Sequence, residues 1–494
     1  MSTSRPLSAS QCGRTRRSFL ADCGFGFTGL AMGAMLARDG IALGNDATWV
    51  PPDGNPHFPP RAKSVIWIFM LGGVSHMESF DPKPALTKHA GKTIAESPYG
   101  DAVLKSPYYR RNVQEFVAGR KLMASLYPLQ VGYRKRGQSG VEIADWWPHI
   151  GGHVDDLAIV RSCWCTDNDH GAQYEFNTGH HLFDGYHPSI GSWVHWGLGS
   201  LNDNLPSFVV LGEGPDVCCG GNGAHSASYL GPMHTAVQLD VDPTNPLPYA
   251  SPGVDVFEEE QAAEIGLLQA LNRQSLERYP RDAAVRARIQ SYELAFRMQQ
   301  SVPELMRLNS ETAATHRLYG LDNPVTQPFG NLCLAARRMV ERGVRFVQVY
   351  HGAGAAGGWD AHSDLKGNHS KLAPQVDQPI AALLTDLKQR GLFDETIVVF
   401  ASEFGRTPGS EQSTGRDHHP YGFSVWLAGG GLKRGVVHGA TDEIGFHAVE
   451  NRHYVTDIHA TVLKQLGLDH KRMEIPGRKR LEIKFGKPID DIIA

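Results

Sequence analysis

The sequence is poor in cysteine, in net charge and in long apolar runs, and each shortage excludes a class of protein. Seven cysteines in 494 residues, with Cys12 and Cys23 close to the N-terminus, do not make a disulfide scaffold. The formal net charge is −4 and no basic tract stands out, so nucleic acid is not an expected partner. Beyond the N-terminal region no apolar run approaches membrane-spanning length, and we expect no stable span in the mature chain.

The N-terminus carries the pattern of a twin-arginine export signal, Thr15-Arg-Arg-Ser-Phe-Leu20. The apolar run that follows is too short and too rich in glycine for a spanning helix. We therefore predict that residues 1–45 are the signal and the start of a linker, and that residues 46–62 complete a proline-rich linker. The mature chain is then expected in the periplasm or outside the cell. Twin-arginine export carries folded chains, which favours a protein that loads a metal or cofactor before export.

Short apolar runs that end in glycine or polar residues set the expected fold. Residues 64–71 form such a run and Gly72-Gly73 follows, which is typical of a strand buried on both faces of a parallel sheet. Helical patterns lie at 379–390 and 457–466, and residues 258–318 are charged and helix-prone. The pattern predicts one α/β domain over 63–494, with a mainly parallel central sheet, helices on both faces and a helical insertion at 258–318. Further strands are predicted at 157–161, 207–211, 344–350, 396–401 and 423–428.

Reactive side chains follow several of these strands, and ligands of parallel sheets collect beyond the carboxyl ends of the strands. After the first strand, Ser75, His76 and Glu78 are placed to face a cleft, although Ser75 also fits a turn or helix cap. After the second, the stretch 165–171 contains Thr166 and Asn168 among several polar neighbours. By itself this stretch is a weak signal.

Two later segments carry carboxylate and imidazole groups. Asp360 and His362 form a D-x-H pair, whose side chains share one face if the segment is extended. Such a pair suits a divalent metal that accepts oxygen and nitrogen ligands, and a surface loop is the alternative. Glu403 follows the strand at 396–401, where it could bind metal, and Arg406 could hold an anionic oxygen pair.

A polar loop at 415–420 precedes the last predicted strand. Its residues Asp417 and His418 are candidate metal ligands, and Arg416 is a candidate for binding an anion. A solvated loop is the alternative for this segment as well. The common position of all these groups after successive strands is the main argument for one site.

The order of motifs resembles the Tat-exported, sulfatase-like DUF1501 family, which belongs to the alkaline phosphatase superfamily. The resemblance extends over nearly the whole chain. Its matching segments are Gly72-Gly-Val-Ser-His-Met-Glu-Ser-Phe-Asp-Pro-Lys-Pro84, Trp359-Asp-Ala-His362, Asp377-Gln-Pro-Ile-Ala-Ala-Leu-Leu384, Arg390-Gly-Leu-Phe-Asp-Glu-Thr396, Ser402-Glu-Phe-Gly-Arg-Thr-Pro408, Gly415-Arg-Asp-His-His-Pro420 and Ala428-Gly-Gly-Gly431.

The superfamily resemblance implies hydrolysis or transfer of phosphate or sulfate groups with one or two metal ions. It implies a nucleophile near Thr166. It also implies metal ligands at Glu78, at the pair 360 and 362, at Glu403 and at His418. The expected cofactor is a divalent ion, namely zinc, calcium, magnesium or manganese. Phe404 departs from the superfamily, because a phenyl ring cannot ligate a metal where a histidine is usual.

Three functions remain open from the sequence. The first is a metal-dependent hydrolase of phosphate or sulfate esters, in which Thr166 attacks and Asn168, together with Arg406 or Arg416, holds the anion. Its substrate is expected to be a small or polymeric anionic ester, for example a sulfated or phosphorylated glycan. The second is a non-catalytic exported binding or scaffold module that retains the fold. The third is a metal-binding oxidoreductase, suggested by a C-x-C at 163–165, by adjacent cysteines at 218–219 and by many histidines.

Overall fold

The first long apolar run forms strand β1, Ser64–Met70, in which every residue is buried. Side chains alternate between the faces of a strand, and here both sets are apolar. Ile66 and Ile68 belong to a hydrophobic cluster on one face, whereas Val65 and Trp67 belong to a second cluster on the other. A strand of this composition requires cover on both faces of its sheet.

The computed structural model describes residues 52–106, 125–242, 257–279, 283–411, 414–478 and 480–494. The predicted export signal at 1–45 lies outside these residues, as does the first part of the predicted linker at 46–62. Residues 52–494 form one compact unit.

The central sheet contains nine of the described strands, in the order β12-β4-β11-β8-β1-β7-β5-β6, with β15 also paired to β4. The described strands are β1 (Ser64–Met70), β2 (Tyr133–Arg136), β3 (Val141–Ala144), β4 (Leu157–Trp164), β5 (Phe208–Leu211), β6 (Val237–Leu239), β7 (Phe346–His351), β8 (Thr396–Ser402), β9 (Gly405–Arg406), β10 (His418–His419), β11 (Phe423–Gly429), β12 (Val436–His438), β13 (Ala440–Thr441), β14 (Ala448–Glu450) and β15 (His453–Tyr454). Strand β1 pairs in parallel with β7 and β8, and β11 is antiparallel to both of its neighbours. The sheet is therefore mainly parallel, as predicted.

Helices cover both faces of this sheet. The described α-helices are α1 (Pro84–Lys88), α2 (Gly100–Leu104), α3 (Pro148–Gly151), α4 (Ala172–Thr178), α5 (Ile190–Leu198), α6 (Glu258–Arg278), α7 (Ala283–Leu305), α8 (Ala313–Leu318), α9 (Gln327–Glu341), α10 (Leu365–Gln389), α11 (Val455–Gln465) and α12 (Glu482–Phe485). Apolar residues of α9 and α10 join the cluster that contains Ile66, and those of α5 and α11 join the cluster that contains Val65. The predicted α/β class with helices on both faces is confirmed.

The helices also show where the sequence pattern is incomplete. The pattern at 379–390 detects only the second half of α10, because Pro374 and Pro379 interrupt the helical signal although both lie inside the helix. The segment 258–318 contains α6, α7 and α8. Among the residues that the structure describes, no helix combines the length and the apolar character that crossing a membrane requires.

The loops after β1, β7 and β8 meet at one edge of the sheet because these strands run in the same direction. Gly72, the second residue after β1, has φ +113°, and a Cβ at this position would lie 2.5 Å from the backbone nitrogen of Asp360. Only glycine allows the loop after β7 to approach the chain this closely. The close approach brings the D-x-H pair to the carboxyl end of the central strands.

Candidate metal centre

Four side chains converge at this edge of the sheet: His170, Asp360, His362 and His418. Each offers one ligand atom, and the four atoms all lie within 4.8 Å of one another. His170 comes from the turn between β4 and α4, the D-x-H pair from the loop after β7, and His418 from β10. Residues far apart in the sequence thus form one cluster.

Asp360 lies at the centre of this cluster. Its Oδ1 is 3.0 Å from His362 Nε2 and 3.2 Å from His418 Nε2, and its Oδ2 is 3.4 Å from His170 Nε2. The Nε2 atoms of His362 and His418 are 3.0 Å apart. Tetrahedral zinc with bonds of about 2.0–2.1 Å places its ligand atoms about 3.3 Å from one another. Three imidazoles and one carboxylate with these separations therefore fit a divalent ion that accepts nitrogen and oxygen.

The second nitrogen of each imidazole is also bound. His170 Nδ1 lies 3.1 Å from Glu403 Oε1, His418 Nδ1 lies 3.0 Å from the carbonyl oxygen of Asn168, and His362 Nδ1 contacts the carboxylate of Glu411. Metal-ligating histidines usually donate their other N–H to a carboxylate or carbonyl, which fixes the ring and its tautomer. The partners seen here leave all three Nε2 atoms directed at the same carboxylate.

The charges of the cluster are mutually dependent. Burial lowers the pKa of His170, but hydrogen bonds to Asp360 and Glu403 outweigh burial and raise the pKa to about 9. The pKa of His362 is likewise raised to about 9, because hydrogen bonds to Asp360 and Glu411 outweigh burial. Burial raises the pKa of Asp360, but its contacts with three imidazoles and an arginine together hold it far below the usual range. The carboxylate is therefore ionised, and a bound metal would replace a proton on His170 and on His362, whereas burial lowers the pKa of His418.

Arg406 contacts the central carboxylate of the cluster and is fully buried. Its Nη2 donates to Asp360 Oδ1 at 2.7 Å, its Nε to the carbonyl of Gly73 at 2.8 Å, and its Nη1 to the carbonyl of Arg416 at 3.1 Å. The same Nη2 also contacts the carbonyl of Gly72. The guanidinium thus joins the central carboxylate to the turn after β1.

Arg416 and Glu78 form a separate buried ion pair, with Nη2 and Oε1 2.8 Å apart and both side chains at 0% exposure. Arg416 Nη1 also donates to the carbonyls of Thr407 and Pro408, at 3.0 and 2.9 Å. The hydroxyl of Ser75 donates to the other carboxylate oxygen of Glu78. In the described parts of the chain, Glu78 belongs to neither group of converging metal ligands.

Thr166 is exposed, and its hydroxyl donates to Glu175 at 2.6 Å. The buried carboxylate of Glu175 also accepts the backbone N–H of Asp167 at 2.8 Å and the hydroxyl of Tyr454. Asn168 contributes its carbonyl to His418, while its side-chain Oδ1 is buried with no hydrogen-bond partner. The predicted nucleophile is thus bound to a carboxylate.

Phe404 fills the position at which the resemblance leads one to expect a histidine. Its ring is buried, with its centroid 4.5 Å from that of His418 and 5.6 Å from that of His170. The ring also lies directly over Gly73. The neighbouring Glu403 is bound to His170 and is in neither group of converging ligands among the described residues.

A second, smaller group consists of His362, Glu411 and Asp417. Asp417 Oδ1 lies 3.7 Å from His362 Nδ1 and accepts the backbone N–H of His418 at 2.8 Å. The structure thus brings Asp360, His362 and His418 together as candidate ligands, and places Asp417 next to them.

Two members of these groups, His170 and Glu411, were not predicted from the sequence as metal ligands. His170 lies in the polar stretch after β4, so a signal was present although the residue was not chosen. Glu411 follows no strand of the central sheet, and no sequence signal pointed to it. Both residues are recognised only when the folded chain places them beside His362 or Asp360.

Comparisons with solved structures give remote likenesses. The lipoteichoic acid synthase LtaP from Listeria monocytogenes is 10% identical, with 89% of this chain and 80% of that chain covered and a TM-score of 0.34. The PsFucS1 sulfatase from Pseudoalteromonas sp. is 11% identical, with coverages of 83% and 68% and a TM-score of 0.33. The C-terminal periplasmic domain of EcEptC from Escherichia coli, in complex with Zn, is 9% identical, with coverages of 88% and 92% and a TM-score of 0.31.

No curated protein sequence matches the chain. A family model does match, and it covers residues 62–493, which is almost all of the compact unit. The match includes every member of the ligand cluster as well as the buried ion pair beside it. The chain therefore belongs to the family described as "Protein of unknown function (DUF1501)".

Proposed function

We propose that this chain is an exported, metal-dependent hydrolase of phosphate or sulfate esters. The observation that carries the proposal is the convergence of His170, Asp360, His362 and His418 on one point, with the second nitrogen of each ring already bound. A divalent ion held by these residues would act as a Lewis acid and neutralise charge that develops on the ester oxygens. The donor set favours zinc among the ions considered, because three of its four members are imidazoles.

The residues around this cluster have proposed roles that follow from their contacts. Glu403 fixes the ring of His170, and Arg406 holds Asp360 in its ionised form. Thr166 is the proposed nucleophile, because its exposed hydroxyl already donates to Glu175, which can accept the proton. Asn168 is the proposed anion contact, through the Nδ2 donor of its side-chain amide, because its backbone carbonyl binds His418 and so places the residue at the cluster.

Arg406 and Arg416 are both already bound by other protein groups, in different ways, which limits their use in binding an anion. Arg416 directs its Nη1 and Nη2 atoms to backbone carbonyls and to Glu78, so gripping a substrate would require these bonds to break. Arg406 reaches the cluster through Asp360. We therefore assign Arg416 to stability and Arg406 to positioning of the carboxylate, in place of a direct grip on the ester.

The proposed substrate is a small or polymeric anionic ester, for example a sulfated or phosphorylated glycan. The proposed location outside the cytoplasm rests on the twin-arginine pattern at 15–20. An extracytoplasmic enzyme of this type meets polymeric esters of the cell surface or the medium.

A non-catalytic module is the second candidate, and the observation that favours it is Phe404. The buried ring occupies space next to His170 and His418 that a further ligand would need. With one ion, and with Arg406 and Arg416 both engaged by the protein, the chain could use the metal only to hold its loops together. Such a module would bind a glycan or a partner protein.

One experiment separates the two candidates. The full chain is purified without chelators, its metals are counted by elemental mass spectrometry, and a panel of phosphate and sulfate esters is tested. Asp360→Asn and His418→Ala should each remove the metal and any ester turnover. Asp394→Asn is the matched control, because the Asp394 side chain is 78% exposed and, among the described residues, forms a surface ion pair with Arg434 alone. Turnover that survives Asp360→Asn would overturn the hydrolase, and metal without turnover of any ester would favour the module.

A further inference from the structure

Two adjacent cysteines lie in a tight turn after β5. Cys218 and Cys219 belong to the 3₁₀ turn Val217–Cys219, and their Sγ atoms are 2.6 Å apart. A disulfide bond measures about 2.05 Å, so the turn holds the two thiols near bonding distance. Both sulfurs also contact a single carbonyl, that of Ala355, at 2.9 and 3.4 Å. The pair is therefore fixed against the loop that follows β7.

Hydrogen bonds to Asp216 and the close approach of Gly220 to Tyr174 fix the conformation of this turn. The side chain of Asp216 accepts the N–H of Val217 at 2.6 Å, and its carbonyl accepts the N–H groups of Cys219 and Gly221 at 2.9 Å each. Gly220 has φ +106°, and a Cβ there would lie 2.8 Å from the side chain of Tyr174. The sulfurs thus meet because the backbone places them, and a bond between them needs little movement.

The two thiols differ in access. Cys218 is exposed, whereas Cys219 is 1% exposed, and burial raises the pKa of the Cys219 thiol. The other cysteines of the described residues, Cys163, Cys165 and Cys333, are buried. In the described parts of the chain, Cys218 is therefore the thiol that a reagent in solution reaches first.

We propose that Cys218 and Cys219 form a reversible vicinal disulfide by exchange with a small-molecule disulfide. Cys218, as the thiolate, attacks one sulfur of the disulfide and displaces one thiolate, which takes up the proton that Cys218 has lost. A mixed disulfide remains on Cys218. Cys219 then attacks the Cys218 sulfur, the protein S–S bond forms, and the second thiol leaves with the proton of Cys219. Overall the two cysteines lose two electrons and two protons, and the small disulfide is reduced to two thiols.

The bond is reversible for a geometric reason. Adjacent residues have Cα atoms about 3.8 Å apart, which is shorter than the about 4.4–6.8 Å of most disulfides. A ring closed across one peptide bond is therefore strained, and strained disulfides are reduced more readily. The pair is thus suited to exchange and not to permanent crosslinking.

A short series of contacts joins the pair to the metal ligands. The residue after Ala355 is Ala356, and its carbonyl accepts Gln173 Nε2 at 3.1 Å. The same Nε2 lies 3.1 Å from Glu403 Oε1, the atom that binds His170. The modification site therefore lies beside the candidate metal centre, although its chemistry requires no metal.

The test uses the full chain equilibrated with mixtures of reduced and oxidised glutathione, then quenched in acid, unfolded and alkylated. Cleavage before aspartate releases residues 216–239, which contain Cys218 and Cys219 and no other cysteine. We expect this peptide to carry two alkyl groups under reducing conditions, and none, with two hydrogens fewer, under oxidising conditions. Two alkyl groups under every condition, or a lasting glutathione adduct on the wild-type chain, would overturn the proposal.

Two variants test the order of the steps. Cys219→Ser should retain glutathione on Cys218, because the second attack is removed, and Cys218→Ser should form no adduct in the same time. Cys333→Ser is the matched control and should behave as the wild type. An adduct on Cys219 in the Cys218→Ser chain at the wild-type rate would contradict the proposed entry through Cys218. The readout is a peptide mass, so it stands whether or not the chain hydrolyses an ester.

Discussion

Glu403 and His170 form a buried contact between the end of β8 and the turn after β4, with Oε1 and Nδ1 3.1 Å apart. The same oxygen accepts the backbone N–H of Gly72 at 2.8 Å. One carboxylate therefore ties together the chain segments after β1, β4 and β8. Because Nδ1 of His170 is engaged, its Nε2 faces Asp360 and is available to a metal.

The first prediction concerns this orienting contact. Glu403→Gln keeps the shape of the side chain but removes its charge, so His170 should remain in place and become a weaker ligand. We expect the metal affinity to fall about ten- to a hundredfold, with the number of bound ions unchanged. Competition with a metal-binding dye measures the affinity. Glu395→Gln is the control: it changes an exposed carboxylate just before β8 and should leave the metal affinity unaltered. If both variants bind the metal as tightly as the wild type, Glu403 does not orient His170.

A second prediction addresses the buried pair of Arg416 and Glu78. Arg416→Met leaves Glu78 buried without its partner, which typically costs about 3–5 kcal/mol of unfolding free energy. The double variant Arg416→Met with Glu78→Gln should recover part of this loss, because the uncompensated charge is gone. Denaturant unfolding measures both values. A role in gripping the substrate predicts the opposite pattern, namely unchanged stability and a raised KM.

The fold was largely predictable because of its layered arrangement. Strands buried on both faces must be apolar at every position, and the run at 64–71 shows this directly. The predicted ends of strands were less accurate where the strand becomes partly exposed. For example, the strand predicted at 157–161 continues to Trp164 in β4. The first half of α10 was missed because Pro374 reads as an interruption, although the folded chain accommodates it.

The site was predictable only in part, because the roles of its residues depend on contacts between positions that are far apart in the sequence. The sequence points to Asp360, which follows a predicted strand, and to His418, which lies in a polar loop between two predicted strands. The partner of Arg416, in contrast, lies 338 positions away at Glu78, and no local pattern reveals that the two charges are paired. His170 can act as a ligand through Nε2 because its Nδ1 contacts Glu403. Which of the two ring nitrogens contacts Glu403 depends on how the loops pack, and the sequence does not show this.

A third prediction concerns pH and Asp156. A hydrogen bond from His153 and contacts with Lys388 Nζ, at 2.9 and 2.8 Å, lower the pKa of Asp156 from 3.8 to about 2. A carboxyl with a depressed pKa stabilises the folded state above pH 3.8, and this stabilisation is lost as the pH falls through 2. With allowance for solvent screening, Asp156→Asn should cost about 1–2 kcal/mol at pH 7 and about half as much near pH 3.

Denaturant unfolding at several pH values measures this dependence. Asp101→Asn is the control, because the Asp101 side chain is 87% exposed and its ion pair in the described part of the chain is with Lys105, one helical turn away. Its variant should change stability little at any pH, as is usual for surface ion pairs. A cost of Asp156→Asn that stays constant from pH 7 to pH 3 would show that the carboxylate charge is not the source of the effect.

The last prediction separates two effects at Gly73, which lies under the ring of Phe404. Gly73 has φ +82°, and a Cβ there would lie 2.4 Å from the Phe404 ring and 3.1 Å from Arg406 Nη2. Gly91 has nearly the same backbone angle, φ +80°, but nothing lies within 4 Å of its Cβ position. Gly91→Ala should therefore show the cost of a positive φ alone, about 1–2 kcal/mol, whereas Gly73→Ala should cost about 1–3 kcal/mol more through overpacking.

The extra cost at Gly73 has a consequence for the metal centre. The Phe404 ring can relieve the clash only by moving, and its centroid lies 4.5 Å from that of His418. Gly73→Ala should therefore also weaken metal binding, while Gly91→Ala should not, although both strain the backbone alike. Thermal unfolding and dye competition on the same two variants measure the two effects. Equal metal affinities, despite a larger loss of stability in Gly73→Ala, would show that Phe404 packs against His418 without determining its position.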